Sequence, residues 1–341
     1  MKNDAFSSGQ RALITAPFQV EVGAQACPAI AETEVLVRHS WSVISPGTEL
    51  AFYEGTHPRL KKPGDPWAKY PFAPGYASAG VVARVGSKIA GFAPGQPVFL
   101  WGGHATWAVA DPEKTLLLPL PAGLDWSLAP FARFLQIVST AYHLLAAKPR
   151  SALVLGAGLI GNLAAQVYRA CGVPVIAVQD IAPQRLQLAR DCGLPAIDGN
   201  GAGAAGEREA LFGAAGPEVV IEATGIPSLI RTSCELAARR GQVVLLGSPR
   251  GEVSFDFYAD VHYRGLRLVG AHQALLPMRD DPAGADRTHL TRQMLELMQR
   301  GAVRIEPLVS RRIRPDGIDR AYRELARRGP ATGFLIDWNE P

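Results

Sequence analysis

The stretch 151-SALVLGAGLIG-161 decides the fold of this 341-residue chain. Its first half, SALVL, is a short apolar run of the kind that forms a buried strand. GAGLIG follows at once and fits G-x-G-x-x-G, with Leu159–Cys171 reading as a helix closed by Gly172. In that context Gly156 permits the tight turn, Gly158 lets the backbone approach a pyrophosphate, and Gly161 lets the helix pack close to the strand. Leu159 and Ile160 open the helix, whose free N–H groups and partial positive charge suit phosphates. The next strand, PVIAVQ (174–179), runs into Asp180, 19 residues after Gly161. A carboxylate there can accept hydrogen bonds from ribose hydroxyls and would repel a 2′-phosphate, so the spacing predicts NAD. Arg185 is the competing signal, since an arginine nearby can accommodate that phosphate.

Outward from this unit the chain keeps alternating. A helix is expected over Pro183–Cys192, then EVVIEA (218–223), a helix over Ser228–Arg239, QVVLLG (242–247) and LRLVG (266–270). Strands that are apolar throughout and alternate with helices predict an α/β fold, with a parallel sheet covered on both faces. DGNGAGAAG (198–206) reads as a surface loop. Residues 11 to 120 read as β-rich, with EVLVR (34–38), GVVARV (80–85) and QPVFL (96–100) separated by Gly and Pro. Glu49–Gly75 reads as a long aromatic loop, a functional lid rather than a disordered segment. Helices are expected over Thr288–Arg300 and Ile318–Arg328, and FLIDW (334–338) as a strand returning to the first domain.

With 48% hydrophobic and 19% charged residues the chain can bury large cores. The net charge of +4 is concentrated in Arg311, Arg312, Arg314, Arg320, Arg323, Arg327 and Arg328, interspersed with Asp319 and Glu324. That pattern is a solvated helix face, and without a nucleic-acid motif it predicts no nucleic-acid partner. Cys27, Cys171, Cys192 and Cys234 are scattered, which predicts free thiols and a cytoplasmic protein. Neither a secretory signal nor a membrane-spanning run is evident, so no membrane partner is expected.

Over nearly its whole length the sequence resembles the medium-chain dehydrogenase/reductase superfamily. APGYASAGVVARVG (73–86), PGQPVF (94–99), GGHATWAV (102–109), EATG (222–225) and GQVVLLG (241–247) carry the resemblance, and ISPGTEL (44–50) looks like the branch with bacteriochlorophyllide-type dehydrogenases. The resemblance implies a GroES-like catalytic domain over 1–122 and 273–341 and a Rossmann domain over 123–272, with a homodimer formed through the Rossmann sheet edge. It also brings Thr140, Thr224 and Gly247 to the cofactor. Zinc members carry ligands at positions that fall near Ser45, at Tyr76 and near Gln136. None is a good zinc ligand, and the four-cysteine structural lobe is missing, so no metal is expected.

Without zinc, side chains must supply the proton and the hydrogen bonds to the reacting oxygen. Thr48 lies where relatives relay the substrate proton; its plainer reading is a turn residue capping a helix from Glu49. Tyr76 is either a general acid or an aromatic wall, and His104 either a proton carrier or a satisfied structural histidine. Tyr53 and Glu49 are further candidates on the same segment, and Gln136 would bond substrate hydroxyls. Thr140 touches nicotinamide or simply bonds its own helix backbone. His143 and His262 read as packing or surface residues. These expectations describe an NAD-dependent, zinc-independent oxidoreductase interconverting an alcohol and a ketone or aldehyde on a hydroxylated metabolite, a polyol, a sugar-like compound or a larger one. An NADPH-dependent quinone or enone reductase and a non-catalytic NAD-binding protein are the competing readings.

Overall fold

The computed structural model describes residues 8–281 and 285–339. The chain divides into two compact units, one made of residues up to Arg133 and from Val309 onward, the other of Phe134–Leu308.

The second unit holds a six-stranded sheet in the order Ala196–Asp198, Val175–Asp180, Ser151–Leu155, Val219–Glu222, Gln242–Leu245, Arg267–Gly270. Every neighbouring pair is parallel. In chain order this is 3-2-1-4-5-6, the doubly wound arrangement whose direction of winding reverses beside Ser151–Leu155. The expected fold class is therefore observed. Leu153, Leu155, Ala177, Ile197, Val220 and Val243 are buried in one cluster on one side of this sheet. The helix Leu159–Ala170 contributes buried Leu163, Ala164 and Val167.

In the first unit the main sheet has seven strands, six in the order Val309–Ile313, Gly333–Asp337, Val35–Val43, Ser78–Val85, Pro97–Leu100, Leu117–Pro119, with Trp107–Ala110 pairing Val35–Val43. A hairpin, Gly9–Ala16 with Gln19–Gln25, stands beside it. Val35, Val37, Val82, Val98 and Leu100 form one buried cluster, and Leu36 and Phe99 between them are buried as well. Phe52, Tyr53, Phe72, Tyr322, Phe334 and Trp338 form a second core. The FLIDW segment does return to this sheet, as strand Gly333–Asp337, second from its edge.

Three expectations are corrected. Glu49–Gly75 is not one irregular loop: Thr48–Tyr53 is a helix and Pro58–Lys61 a 3-10 turn, because Leu50, Ala51, Phe52 and Tyr53 all bury. The Gly/Ala-rich run 198–206 is not all surface loop, since the helix Ala204–Phe212 starts inside it, where AAGE gives way to good helix formers. Residues 273–308, expected with the catalytic domain, pack with the Rossmann sheet, and 123–133 pack with the first unit. The reason lies in Gln166, whose amide donates to the Arg304 carbonyl at 3.1 Å and accepts from its N–H at 2.5 Å, tying the connection after helix Arg287–Gln299 to the glycine-motif helix.

Candidate active site

At the head of the Rossmann sheet the glycines do three different jobs. Gly156 has φ of +97°, and a Cβ on it would lie 2.7 Å from Thr224 Cγ2. At Gly161 a Cβ would fall 1.7 Å from the Gly156 carbonyl oxygen, so helix and turn touch there with no room for a methyl. A Cβ on Gly158 meets nothing within 4 Å, leaving open space over the backbone. The first turn from Leu159 and Ile160 presents N–H groups without intrahelical partners toward that space. A diphosphate fits this cradle.

Asp180 ends the second strand, and its carboxylate is already engaged. Oδ2 accepts from the Ala157 N–H at 2.8 Å; Oδ1 accepts from Ile181 and Ala182 at 2.7 and 2.9 Å. Three of about four lone-pair sites are thus used, one fastening the glycine turn to the strand end and two holding the turn after Asp180. Arg185 approaches Oδ2 at 3.9 Å, so the two competing residues form one ion pair. Glu222, which the sequence reading passed over, is fully buried at the end of strand Val219–Glu222, on the other side of Ser151–Leu155. It accepts from the Thr224 N–H at 2.7 Å, from the Gly225 N–H at 3.1 Å and from the Thr224 hydroxyl. A Cβ on Gly247 would come within 2.9 Å of the Glu222 carboxylate and 2.3 Å of Gly225 N, so Thr224 and Gly247 shape this loop together. Ile181 and Ile226, also overlooked, are exposed at these two strand ends, where apolar side chains are not needed for packing.

In the first unit a chain of hydrogen bonds runs through the core. The Trp338 indole N–H donates to Ser42 Oγ at 2.8 Å, and Ser42 Oγ meets His104 Nδ1 at 2.8 Å. His104 Nε2 lies 2.9 Å from Glu49 Oε2, which also accepts from the Tyr322 hydroxyl at 2.6 Å. Glu49 Oε1 accepts from the Ser45 N–H at 3.1 Å. Every group is used when Ser42 donates to Nδ1 and Nε2 carries the proton. Burial, then the charge of Glu49, pushes the Tyr322 phenol far above its usual range.

Beside this network the half-buried Tyr76 donates its hydroxyl to Ser45 Oγ at 2.6 Å. Burial and the negative charge of Glu49 push the phenol upward, while the bonds to Ser45 and Thr48 and the Arg133 guanidinium pull it back. The Arg133 guanidinium carbon lies 5.4 Å from the Tyr76 ring and 4.0 Å from the Trp101 ring. Arg133 is only 5% exposed.

The predicted residues separate accordingly. Thr48 and Tyr76 come together at Ser45. Thr48 does not cap its helix, whose N-cap is Gly47. His104 is corrected: it is 1% exposed with both ring nitrogens bonded inside the core, so it cannot itself meet a substrate. Tyr53 is corrected on the same grounds, being buried and stacked on Tyr322 at 5.2 Å between ring centroids. Gln136 and Thr140, in the second unit, are both fully buried and bond each other: Gln136 Nε2 donates to Thr140 Oγ1 at 2.9 Å, and Thr140 Oγ1 donates to the Gln136 carbonyl at 3.1 Å. Both of these bonds lie within their own helix. His143 likewise bonds the Ser139 carbonyl. Among the described residues no three of His, Cys, Asp or Glu are grouped to hold a metal ion. A hydroxyl, a phenol and a guanidinium gathered at Ser45, Tyr76 and Arg133 do not fit one either.

Two family models match in order: an alcohol dehydrogenase GroES-like domain over residues 31–122 and a zinc-binding dehydrogenase over 160–281. A 2-desacetyl-2-hydroxyethyl bacteriochlorophyllide A dehydrogenase from Rhodobacter capsulatus is 25% identical, covering 97% of this chain and 98% of its own length. A 2R,3R-butanediol dehydrogenase from Bacillus subtilis superposes with a TM-score of 0.82 at 19% identity, over 97% of this chain and 100% of that one. A short chain alcohol dehydrogenase from Escherichia coli CFT073 complexed with NADH superposes with a TM-score of 0.79 at 20% identity, over 97% and 99%. The β-rich unit, the doubly wound sheet and both family matches agree, and the chain belongs to the medium-chain dehydrogenase/reductase superfamily, as an oxidoreductase of the alcohol dehydrogenase type.

Proposed function

We propose that this protein is a zinc-independent, NAD(H)-dependent oxidoreductase that interconverts an alcohol and a ketone or aldehyde on a hydroxylated metabolite: a polyol, a sugar-like compound or a larger one. The observation that carries the reading is the Tyr76 hydroxyl, bonded to Ser45 Oγ where zinc-dependent relatives place metal ligands, with the Arg133 cation against its ring. A dication set beside a fixed guanidinium would be repelled, and a phenol is a proton donor rather than a preferred zinc ligand.

The nicotinamide supplies or accepts the hydride when bound. Gly156, Gly158, Gly161 and the helix N-terminus from Leu159 and Ile160 hold the diphosphate; Thr224 and Gly247 shape the adjoining loop; Ile181 and Ile226 offer the adenine apolar faces. Asp180 keeps a lone pair for the ribose, and its ion pair occupies Arg185, which weakens the case for a 2′-phosphate. Tyr76 gives its proton to the carbonyl oxygen in reduction and takes it back in oxidation, with Thr48 as its hydroxyl neighbour. The exposed Leu268 on the sheet-edge strand, with exposed Phe257, Tyr258 and Tyr263 nearby in sequence, supports a homodimer through that edge. Four free cysteines support a cytoplasmic setting, and among the described residues no helix is long and apolar enough to cross a membrane.

The test is a fluorescence titration of the metal-stripped protein with NADH and NADPH, followed by turnover with a panel of hydroxy and keto compounds. Tighter NADH binding with turnover in the absence of zinc is expected. Strong NADPH preference, or activity that returns only with stoichiometric zinc, would overturn the reading.

A further inference from the structure

The Tyr76 phenol faces an electrostatic problem that the proposed chemistry makes acute. Giving up a proton leaves a tyrosinate beside Glu49, itself 1% exposed and bonded to His104, Tyr322 and the Ser45 N–H. A second negative charge beside a buried carboxylate is unfavourable unless a cation offsets the pair. The titratable and charged groups facing Tyr76 are Glu49 from helix Thr48–Tyr53, Tyr322 from helix Ile318–Ala326, and Arg133 from the first turn of helix Ala132–His143. The hydroxyls of Ser45 and Thr48 are neutral, so Arg133 is the cation of that set. It is held by geometry suited to a flat cation, over the Trp101 indole at 4.0 Å and beside the Tyr76 ring at 5.4 Å.

Building on the reading of Tyr76 as proton donor, we propose that Arg133 is its positioning residue: seated on Trp101, the guanidinium fixes the Tyr76 ring and stabilises the tyrosinate that forms when the phenol gives its proton to the substrate oxygen. In reduction the hydride that reaches the carbonyl carbon comes from NADH. The Tyr76 O–H bond breaks, its proton joins the carbonyl oxygen, and the electron pair stays on the phenolate until solvent returns a proton. In oxidation the same tyrosinate accepts the proton of the alcohol. A lysine at 133 would keep the charge and lose the flat face that stacks on Trp101 and Tyr76.

The experiment compares wild type, Arg133→Met, Arg133→Lys and Tyr76→Phe as full-length protein with saturating NAD. Arg133→Met is expected to move the midpoint of the pH profile for alcohol oxidation upward by about one unit and to lower kcat at least tenfold. NADH affinity stays unchanged and the solvent deuterium isotope effect rises; Arg133→Lys falls between. If the Met variant does not fold, the Lys variant carries the same comparison. An unmoved midpoint with folded protein overturns the proposal. So does a rise in KM confined to substrates bearing an anionic group, which would make Arg133 a substrate-binding residue instead. If the wild type turns over nothing, the proposed function fails by itself; the tyrosinate absorbance of wild type less that of Tyr76→Phe, with and without Arg133→Met, still decides whether the two residues are coupled.

Discussion

Replacing His39 by Asn should flatten the acid dependence of this protein's stability. His39 is buried on strand Val35–Val43, where Nδ1–H donates to the Ala105 carbonyl at 2.7 Å. Its Nε2 is buried against the Gly102–Gly103 backbone, and a Cβ on Gly102 would lie only 2.6 Å from it. Burial first, with nearby His104 adding to it, holds the imidazole at about 4 instead of the ordinary 6.5. The folded state therefore binds the proton more weakly than the unfolded chain. Between pH 6.5 and 4 the unfolded state takes up a proton that the native state refuses, so stability is fully present above the unfolded value and is lost as pH falls toward the folded one. A displacement of that size is worth about 3 kcal/mol when complete, and about 2 kcal/mol by pH 5. The Asn amide keeps the bond to Ala105 and does not titrate. Urea unfolding of both proteins, followed by tryptophan fluorescence between pH 7.5 and 4.5, should show wild type losing about 2 kcal/mol more than His39→Asn by pH 5. Parallel curves for the two proteins would refute the claim that His39 is held neutral in the core.

Gly161→Ala places a methyl where the Gly156 carbonyl oxygen stands; a loss of about 1–3 kcal/mol and at least tenfold weaker NADH binding are expected, by urea unfolding and fluorescence titration. Glu49→Gln leaves at least one of the donors Ser45 N–H, His104 Nε2–H and Tyr322 O–H facing an NH2 group; a cost of about 1–3 kcal/mol is expected in the same unfolding assay, and no change would show that the network is not closed as described. Leu268→Lys puts a charge on the exposed sheet edge, and sedimentation velocity should show monomer in place of dimer.

The Rossmann half was legible because its signals are local. SALVLGAGLIG reports a strand, a turn and a helix within eleven residues, and Asp180 is found by counting from Gly161. The catalytic unit was less legible because its decisive contacts are remote in sequence. Ser42 and Trp338 are 296 residues apart, and Glu49 and Tyr322 are 273 apart. No spacing rule finds such pairs, so His104 read as well for proton transfer as for structure until its two nitrogens were located. Arg133 escaped notice because an arginine inside ARFLQIVSTAYH looks like one polar residue on an apolar helix; only its seat between two ring systems gives it meaning. The start of helix Ala204–Phe212 falls inside the run 198–206 that reads as loop, because its glycines mask the helix formers that follow.

The strand Gly333–Asp337 sits between Val309–Ile313 and Val35–Val43, and Trp338 and Tyr322 complete the bonds around Ser42, His104 and Glu49. During synthesis this means that an earlier part of the chain waits on a much later one. Residues 8–133 leave the ribosome with a sheet edge open and with the Glu49 carboxylate and the Ser42 hydroxyl each short of a partner, and stay so while the whole nucleotide-binding unit is made. At ribosomal speeds that interval is on the order of ten to forty seconds, during which the nascent first unit depends on its surroundings to keep the open edge from pairing elsewhere.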